Sequence, residues 1–259
     1  MTSAAATIEP RATSQGAETR PGLLRLSGVE LRKMVDTRAG FWLLLGIVLT
    51  TITVVVVFGF DDGHDQSLRS MFADSAQVAL ALLPVVGILL VSSEWTQRTS
   101  LITFALVPQR RRVLAAKLSA GVALAVVAWV VILAIAAVGT AVVGGGEAEQ
   151  WSLPGWFIGQ SSVYLAVSML LGVAFGAMLL SSAPAIVLYF LVPLGFAALG
   201  SMRVFDGVRT WLDGSQSLAP LTTEQMGASD WAHAGTTIAV WMLLPLVIGL
   251  WRITRSEIT

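Results

Sequence analysis

Few side chains in this 259-residue sequence could do chemistry, and their spacing excludes most kinds of active site. There is no cysteine, which excludes disulfides and thiol-based metal or redox chemistry. His64 and His233 lie far apart and just outside apolar runs, which favours solvated loop positions over a shared metal site. Neither Lys33 nor Lys117 follows the glycines of a G-x-x-x-x-G-K-[ST] nucleotide-binding loop. We therefore predict no catalytic residue, no metal site and no cofactor bound by this chain.

Positive charge is concentrated in one short stretch, ALVPQRRRVLAAKL, from Ala105 to Leu118. It places three consecutive arginines and Lys117 between two long apolar runs. The formal net charge of the chain is zero, so the distribution of charge carries the information and its total does not. An anchor that holds this segment at the cytoplasmic headgroups would explain the charge by itself.

The apolar runs on either side of this stretch are long enough to cross a membrane. Over half of the residues are apolar, and the mean hydropathy is +0.77. A helix rises ~1.5 Å per residue and the hydrocarbon core is ~30 Å thick, so roughly 18 or more apolar residues indicate a span. We predict an all-α membrane protein with six spans, at residues 41–60, 74–92, 115–143, 157–180, 183–202 and 233–251, the fourth and fifth separated at the SSAP sequence, Ser181–Pro184.

Lysine and arginine set the predicted orientation of these spans. Thirteen of the sixteen fall on the side that holds both termini, and only Arg69, Arg203 and Arg209 fall on the other. Because cytoplasmic loops are enriched in these residues, we predict a multi-pass membrane protein with both termini cytoplasmic. Residues 1–21, which are rich in alanine, threonine, serine and arginine, are predicted to be a disordered cytoplasmic tail.

Residues 22–38 are predicted to form an amphipathic helix at the membrane surface, leading into the membrane domain of residues 39–259. The Ser27 and Glu30 spacing is that of a capping box, which would start the helix at Gly28. A basic amphipathic helix of this kind lies among anionic headgroups, although a merely solvated basic linker is the alternative. Its apolar side comprises Leu23, Leu24, Leu31, Met34 and Val35, and its charged residues include Arg25, Glu30, Arg32 and Lys33.

The interiors of the predicted spans contain no lysine, arginine or glutamate. Ion-coupled carriers and intramembrane proteases depend on ionisable groups inside the bilayer, so both classes are disfavoured. The small and polar residues within the spans are candidates either for helix packing, which we favour, or for lining a pathway. The candidates are Gln77, Ser168, Gly172, Gly176 and Tyr189.

Two segments outside the spans are also predicted to be helical in part. In the cytoplasmic loop 93–117, Ser92 or Ser93 would cap a short helix with Glu94 in its first turn, ended by Pro108. On the outer side, residues 203–232 begin with an amphipathic pattern between Val204 and Leu212, which is typical of a helix at the interface.

The loop 93–117 resembles the first cytoplasmic loop of type-2 ATP-binding-cassette (ABC) transporter permeases, particularly actinobacterial ones. Glu94, Thr99, Pro108, Arg111 and Lys117 match the family pattern E…T…P-x-x-R…K, within a chain of six predicted spans. The sequence departs from it at Arg98, where a glycine is frequent, and in a longer spacing to the proline. The resemblance implies that 22–38 is the connecting helix and that a coupling helix docks onto an ATPase through Glu94, Trp95, Arg98, Thr99, Pro108, Arg110, Arg111 and Arg112.

The function that the resemblance implies is that of an exporter's membrane subunit, in the bacterial plasma (inner) membrane and without an ATPase site of its own. Two permease subunits, identical or different, would form the pathway, and ATP and magnesium would bind separate ATPase subunits; no nucleic-acid partner is expected. One alternative is a six-span substrate-binding component of an ATP-driven importer. A second is an intramembrane enzyme or a structural anchor. The mild polarity of the spans favours a hydrophobic or amphipathic substrate.

Overall fold

The computed structural model describes residues 22–61, 63–96, 110–144, 147–199 and 206–255, and every regular element in these ranges is helical. The all-helical class is therefore confirmed for this part of the chain. In chain order the elements are α1 (Leu23–Asp36), α2 (Arg38–Gly59), α3 (Leu68–Thr96), α4 (Arg110–Val143), a 3-10 turn (Ala148–Trp151), α5 (Gly155–Leu179), α6 (Ser182–Leu199), the short helices α7 (Asp206–Leu212), α8 (Gly214–Leu218) and α9 (Pro220–Thr223), and α10 (Ala228–Arg255).

Five of these helices, α2, α3, α4, α5 and α10, are long and apolar enough to cross a membrane. The sixth predicted span corresponds to α6, which has 18 residues. At ~1.5 Å per residue α6 is about 27 Å long, slightly less than the ~30 Å of the hydrocarbon core. Helix α4, with 34 residues, is about 50 Å long and exceeds that thickness. The structure thus provides five helices of spanning length and one shorter apolar helix.

The break between α5 and α6 falls where the sequence predicts it. Helix α5 ends at Leu179, and Leu180 adopts a left-handed conformation with φ 54° while its N–H donates to the Gly176 carbonyl. Helix α6 starts at Ser182 with Pro184 in its first turn, where a proline costs no intrahelical hydrogen bond. Two helices are therefore joined by a turn of two residues.

Among the described residues other than glycine, Leu180 alone has a positive φ. Glycine is the usual residue at this position just after a helix end. We expect Leu180→Gly to be more stable than Leu180→Ala by about 1 kcal/mol, because both variants lose the leucine side chain but only glycine relieves the left-handed strain. Thermal unfolding of the two purified variants measures the difference. Equal stability would show that the Leu180 backbone is unstrained.

Helices α3 and α5 form the centre of the bundle, and glycines let their backbones touch. A Cβ atom built on Gly172 would lie 2.0 Å from the Pro84 carbonyl oxygen, and one on Gly87 would lie 2.4 Å from the Met169 carbonyl oxygen. Gly176 is similarly close to the Ile88 carbonyl, at 2.8 Å. The G-x-x-x-G sequence therefore packs α5 against α3 within one chain.

Helix α1 packs against α4 and α2. The prediction that Ser27 and Glu30 form a capping box is wrong, because α1 begins at Leu23 and both residues lie inside it. The Ser27 hydroxyl donates to the Leu23 carbonyl and lies 2.6 Å from the Ser119 hydroxyl of α4. Ser27 therefore contacts another helix and does not cap its own. Leu24, by contrast, is 91% exposed on the outer side of α1.

The end of the bundle that holds α1, which we call the basic end, gathers several helix termini. Arg110, at the start of α4, donates from Nη1 to the Ile253 carbonyl of α10, 2.6 Å away. Arg252 donates to the Met178 carbonyl near the end of α5. Ser92 near the end of α3 lies 2.8 Å from Ser182 at the start of α6, measured between hydroxyl oxygens.

The opposite end is closed by the segment from α7 to α9. The Gln160 side chain of α5 donates to the Glu224 carbonyl at 2.8 Å and accepts from the Met226 N–H at 3.2 Å. Indole Nε1 of Trp241 donates to the Leu212 carbonyl at 2.8 Å. The outer segment predicted for 203–232 is thus helical from Asp206, with Trp211 exposed, whereas 203–205 lie outside the described residues.

Candidate functional site: a buried charge cluster between α1, α3 and α4

Four charged side chains meet inside the basic end of the bundle: Glu30 and Lys33 of α1, Glu94 of α3 and Lys117 of α4. Lys33 Nζ lies 2.7 Å from Glu30 Oε1 and 2.7 Å from Glu94 Oε1. Lys117 Nζ lies 2.5 Å from Glu30 Oε2 and 3.3 Å from Glu94 Oε1. Each lysine therefore bridges both glutamates, and we refer to these four residues as the charge cluster.

Three members of the charge cluster are almost fully removed from solvent. The side chains of Lys117, Glu30 and Glu94 are 5%, 7% and 10% exposed, whereas that of Lys33 is 42% exposed. Lys117 Nζ also donates to the Leu90 carbonyl at 2.9 Å. Buried charges are costly unless each is paired and hydrogen-bonded, and this arrangement provides a partner for each.

Helix geometry explains how the charge cluster forms. Glu30 and Lys33 are three residues apart, so both project from the side of α1 that faces the bundle. Lys117 lies two turns into α4, which packs along α1. Glu94 comes from the last turn of α3. Three helices that are distant in sequence are joined by one set of ion pairs.

The prediction that Ser92 or Ser93 caps a new helix is wrong, because α3 continues without a break to Thr96. The Ser92 hydroxyl donates to the Ile88 carbonyl, and the Thr96 hydroxyl donates to the Ser92 carbonyl. Both side chains therefore satisfy carbonyls within one helix and do not cap another. Glu94 points inward to the lysines from the end of this helix, so it cannot serve as a first-turn residue of a separate one.

The neighbouring glutamates favour the charged form of Lys33. Partial burial opposes protonation, but hydrogen bonds and charge attraction from Glu30 and Glu94 outweigh it and raise the pKa of Lys33 above its usual 10.5. A raised pKa in the folded state means that Lys33 stabilises the fold below its unfolded-state pKa. That stabilisation is lost as the pH rises through the folded-state pKa.

We expect the stability difference between the wild type and Lys33→Met to be constant from about pH 7 to 9 and to shrink above about pH 10.5. The comparison with Lys33→Met removes the contributions of groups that titrate alike in both proteins. Thermal unfolding at a series of pH values measures it. A difference that shrinks already below pH 9 would contradict the raised pKa.

The structure describes part of the predicted coupling segment. Trp95 is half-buried and packs against the hydrophobic core, next to Glu94. Arg110, Arg111 and Arg112 form the first turn of α4, where Arg111 is exposed. Arg98, Thr99 and Pro108 lie outside the described residues, as does the short coupling helix expected there.

The three arginines stand at an unfavourable end of their helix. The N-terminus of a helix carries partial positive charge, so acidic residues are favoured there and basic ones weaken the helix by ~0.3–1 kcal/mol each. The first turn of α4 contains no acidic residue. Helix stability therefore does not explain why three arginines occupy this position; Arg110 instead bonds the Ile253 carbonyl of α10, and Arg111 is exposed.

On α1, the charged residues divide between two sides. Arg25 and Arg32 are exposed, as are Leu24 and Val35, which leaves a mixed basic and apolar outer surface. Glu30 and Lys33 instead face the bundle. The side of α1 that faces the bundle is therefore polar as well as apolar. The pattern of apolar residues in the sequence does not indicate this.

The remaining candidates are used mainly in packing within the chain. Gly172 and Gly176 contact α3, as described above, and the Ser168 hydroxyl donates to the Tyr164 carbonyl. The Tyr189 hydroxyl donates to the Leu80 carbonyl at 3.2 Å. Gln77 is exposed on the surface of α3.

The prediction that both histidines are solvated loop residues holds in part: His64 lies in the loop between α2 and α3 but is partly buried, whereas His233 is helical. His64 Nε2 lies 2.7 Å from Asp74 Oδ2, and its ring stacks on Phe58 at 4.5 Å. His233 lies within α10 and packs edge-on against Trp211. Among the described residues no group of three or more histidine, aspartate or glutamate side chains could hold a metal ion.

The sequence predicts Glu30 and Lys33 in a surface helix and Lys117 at the edge of a span, but it does not predict that these side chains contact one another. The available signal was the rarity of these residues, since the chain has just two lysines and both enter the charge cluster. A lysine two turns inside a long apolar helix needs a partner of opposite charge.

No protein-family model matches the chain, and no curated protein matches it. The functional interpretation therefore rests on the geometry of the charge cluster and on the sequence pattern of the segment beside it.

Proposed function

We propose that this chain is the membrane subunit of an ATP-driven exporter of the type-2 ABC class. The observation that carries the proposal is the charge cluster, which joins α1 to the two helices that flank residues 97–109. Glu94 lies three residues before that segment and Lys117 lies eight residues after it. A force applied to the segment would therefore act on α1, α3 and α4 together.

The ionic character of the charge cluster supports a positioning role. Apolar residues of similar volume often stabilise a protein as well as a buried ion pair does, so stability alone does not account for four charges here. Ion pairs do, however, require a particular geometry of all four side chains. They fix the orientation of α1 relative to the ends of α3 and α4, as docking of a separate subunit would require.

The ATPase belongs to a partner in this proposal. The sequence contains no phosphate-binding loop, so ATP and magnesium would bind a separate nucleotide-binding subunit. Residues 97–109 would contact that subunit, and Arg110, Arg111 and Arg112 would hold the returning chain between the partner and the headgroups. The exposure of Arg111 at the start of α4 supports this assignment.

The membrane arrangement follows from the same proposal. The basic end faces the bacterial cytoplasm, α6 serves as the sixth span, and both termini are cytoplasmic. Two such subunits, identical or different, enclose the pathway. No covalent step occurs in this chain; closure of the ATPase dimer moves the coupling segments, and the space between the two permeases changes shape.

Site-specific photo-cross-linking tests the proposal. A photoreactive amino acid at Thr99 is expected to capture, in the native membrane, a protein that contains a phosphate-binding loop and hydrolyses magnesium-ATP. The matched control places the same amino acid at Glu149, an exposed residue of the 3-10 turn at the opposite end of the bundle. Cross-linking of that ATPase from Thr99 but not from Glu149 supports the proposal.

Two outcomes would overturn it. One is capture of the same proteins from both positions; the other is capture at Thr99 of lipid only, with no ATPase in the purified assembly. The second outcome would indicate that the arginines only anchor this segment at the lipid headgroups.

A further inference from the structure

A half-open pocket of about 160 Å³ lies in the half of the bundle away from the charge cluster. Residues of α3, α5, α6, α10 and the short helix α8 form its walls. We call it the apolar cavity, and all of the walls described here come from one chain. Residues that define its walls include Leu80, Phe175, Val192, Phe196, Leu218 and Trp241.

The polar groups in its walls are already bonded to the protein. The Tyr189 hydroxyl donates to the Leu80 carbonyl, and the Thr237 hydroxyl donates to the Trp211 carbonyl at 3.0 Å. Trp241 Nε1 donates to the Leu212 carbonyl at 2.8 Å. Ser215, the other polar side chain in the walls, donates from its hydroxyl to Asp213 Oδ1 at 2.6 Å. The side-chain donors in the walls are therefore bonded within the chain, and a polar solute would find no free side-chain donor there.

Aromatic rings supply much of its surface. Phe175 and Tyr189 meet edge to face with centroids 6.1 Å apart and an interplanar angle of 87°. Phe196 and Trp241 meet in the same way, at 6.1 Å and 89°. Such pairs leave ring faces and edges available to a further ring, which aromatic groups contact in offset or edge-to-face geometry.

Two irregular helix segments border the apolar cavity. Pro193 interrupts α6, and residues Ala239–Leu243 of α10 are π-helical, with Trp241 at their centre. Prolines and π-helical segments are where helices bend or change register, and π-helical segments often occur at functional sites. Pro193 is also exposed on the outer surface of α6, so this wall reaches the membrane side of the bundle.

The volume and the apolar lining of the apolar cavity indicate its ligand. An enclosed apolar cavity of about 150 Å³ in another protein binds benzene or xenon, and the apolar cavity has a similar volume but is partly open to the surface, which gives a ligand a way in. We propose that the apolar cavity binds one small neutral aromatic molecule, about the size of benzene, which enters from the hydrocarbon layer. This assignment does not rest on the proposed exporter function, because it concerns one chain alone.

Photolabelling of the full-length chain in lipid nanodiscs tests this inference, with a benzene-sized aromatic diazirine as the probe. Labelling of Phe175 and Tyr189 is expected to saturate and to fall at least threefold when excess benzene is added. Leu194, which is 64% exposed on α6, provides the internal control. Its labelling is expected to rise linearly with the probe and to be insensitive to benzene.

Cavity-filling variants give an independent comparison. Val192→Phe on α6 and Gly214→Leu on α8 add volume to the walls, and each is expected to reduce labelling of Phe175 at least threefold. The matched controls are Val187→Phe, at a position 61% exposed on α6, and Gly235→Leu, beside which a Cβ meets nothing within 4 Å. Both controls are expected to label as the wild type does.

The inference is overturned if labelling of Phe175 and Tyr189 is absent, or if it rises linearly and ignores benzene as at Leu194. It is also overturned if filled and control variants label equally. Stronger competition by phenyltrimethylammonium than by benzene would overturn the neutral character of the ligand, since the aromatic walls would then be binding a cation.

Discussion

Replacing Lys117 with methionine is expected to lower the free energy of unfolding by about 3–5 kcal/mol. The change leaves Glu30 and Glu94 buried with Lys33 as their one remaining partner in the charge cluster, and an uncompensated buried charge is strongly destabilising. Methionine is similar to lysine in length and is apolar, so lost packing contributes little. Unfolding of the purified protein in detergent, followed by temperature or denaturant, measures the change.

Two further variants show whether charge is the cause. Lys33→Met is expected to cost only about 1 kcal/mol, because Lys33 is 42% exposed and solvent screens its pairs. Adding Glu30→Gln to Lys117→Met is expected to restore more than half of the lost stability, since it removes an unpaired charge. Equal losses for Lys117→Met and Lys33→Met would show that the buried pairs do not hold α1 in place.

Replacing Gly172 with alanine is expected to lower the free energy of unfolding by about 3 kcal/mol. The added Cβ would lie 2.0 Å from the Pro84 carbonyl oxygen and 2.7 Å from the Pro84 Cα. These are backbone atoms in the middle of α3, so they cannot rotate away, and α3 and α5 must separate. Unfolding in detergent again provides the measurement.

Gly159→Ala is the matched control in the same helix. No atom lies within 4 Å of a Cβ at Gly159, and alanine is favoured over glycine inside helices by up to about 1 kcal/mol. We therefore expect Gly159→Ala to be neutral or slightly stabilising. A neutral Gly172→Ala would mean that α3 and α5 do not approach as closely as the structure shows.

Local sequence determines much of what was correctly predicted in the fold. Apolar runs of 18 or more residues correspond to α2, α3, α4, α5 and α10, because length and hydropathy indicate which helices are suited to the hydrocarbon core. The break at Leu180 and Ser181 was also predictable, since Pro184 suits the first turn of a new helix. The expectation that Pro184 disfavours helix at Ser182 and Ala183 was wrong, because α6 already begins at Ser182.

The wrong predictions concern side chains that could either cap their own helix or contact another helix. Ser27, Ser92 and Glu30 have the types and spacings of helix caps, yet the structure places each inside a helix with a tertiary partner. A helix cap contributes about 1 kcal/mol, whereas leaving a buried charge without its partner costs about 3–5 kcal/mol. For Glu30 the tertiary ion pair therefore matters more than a local cap. Nothing in the sequence near Glu30 indicates a partner at Lys117, 87 residues away, because that contact depends on how α1 packs along α4.

The sixth span shows a different limit. The described part of α6 runs from Ser182 to Leu199, and residues 200–202 of the predicted span lie outside the described residues. Hydropathy identifies an apolar helix here, but it does not register where a helix stops, so the end of this span stays a prediction.

The charge cluster gives the proposed exporter a route from a docked ATPase to the membrane helices. In that proposal Glu30 and Lys33 attach α1 to the bundle. Their ion-pair partners Glu94 and Lys117 lie on either side of the coupling segment, so movement of the segment is transmitted to α1. The route uses rigid helices and four ion pairs, so weakening the pairs should weaken transport before it weakens binding of the partner.

Native mass spectrometry of the complex purified from its own membrane tests whether this chain works together with an ATPase. We expect two membrane chains, two copies of this one or one with a related chain, together with two subunits that carry a phosphate-binding loop. Such an assembly should hydrolyse magnesium-ATP. A chain released alone, or only with proteins that lack a nucleotide-binding site, would contradict the proposed exporter function.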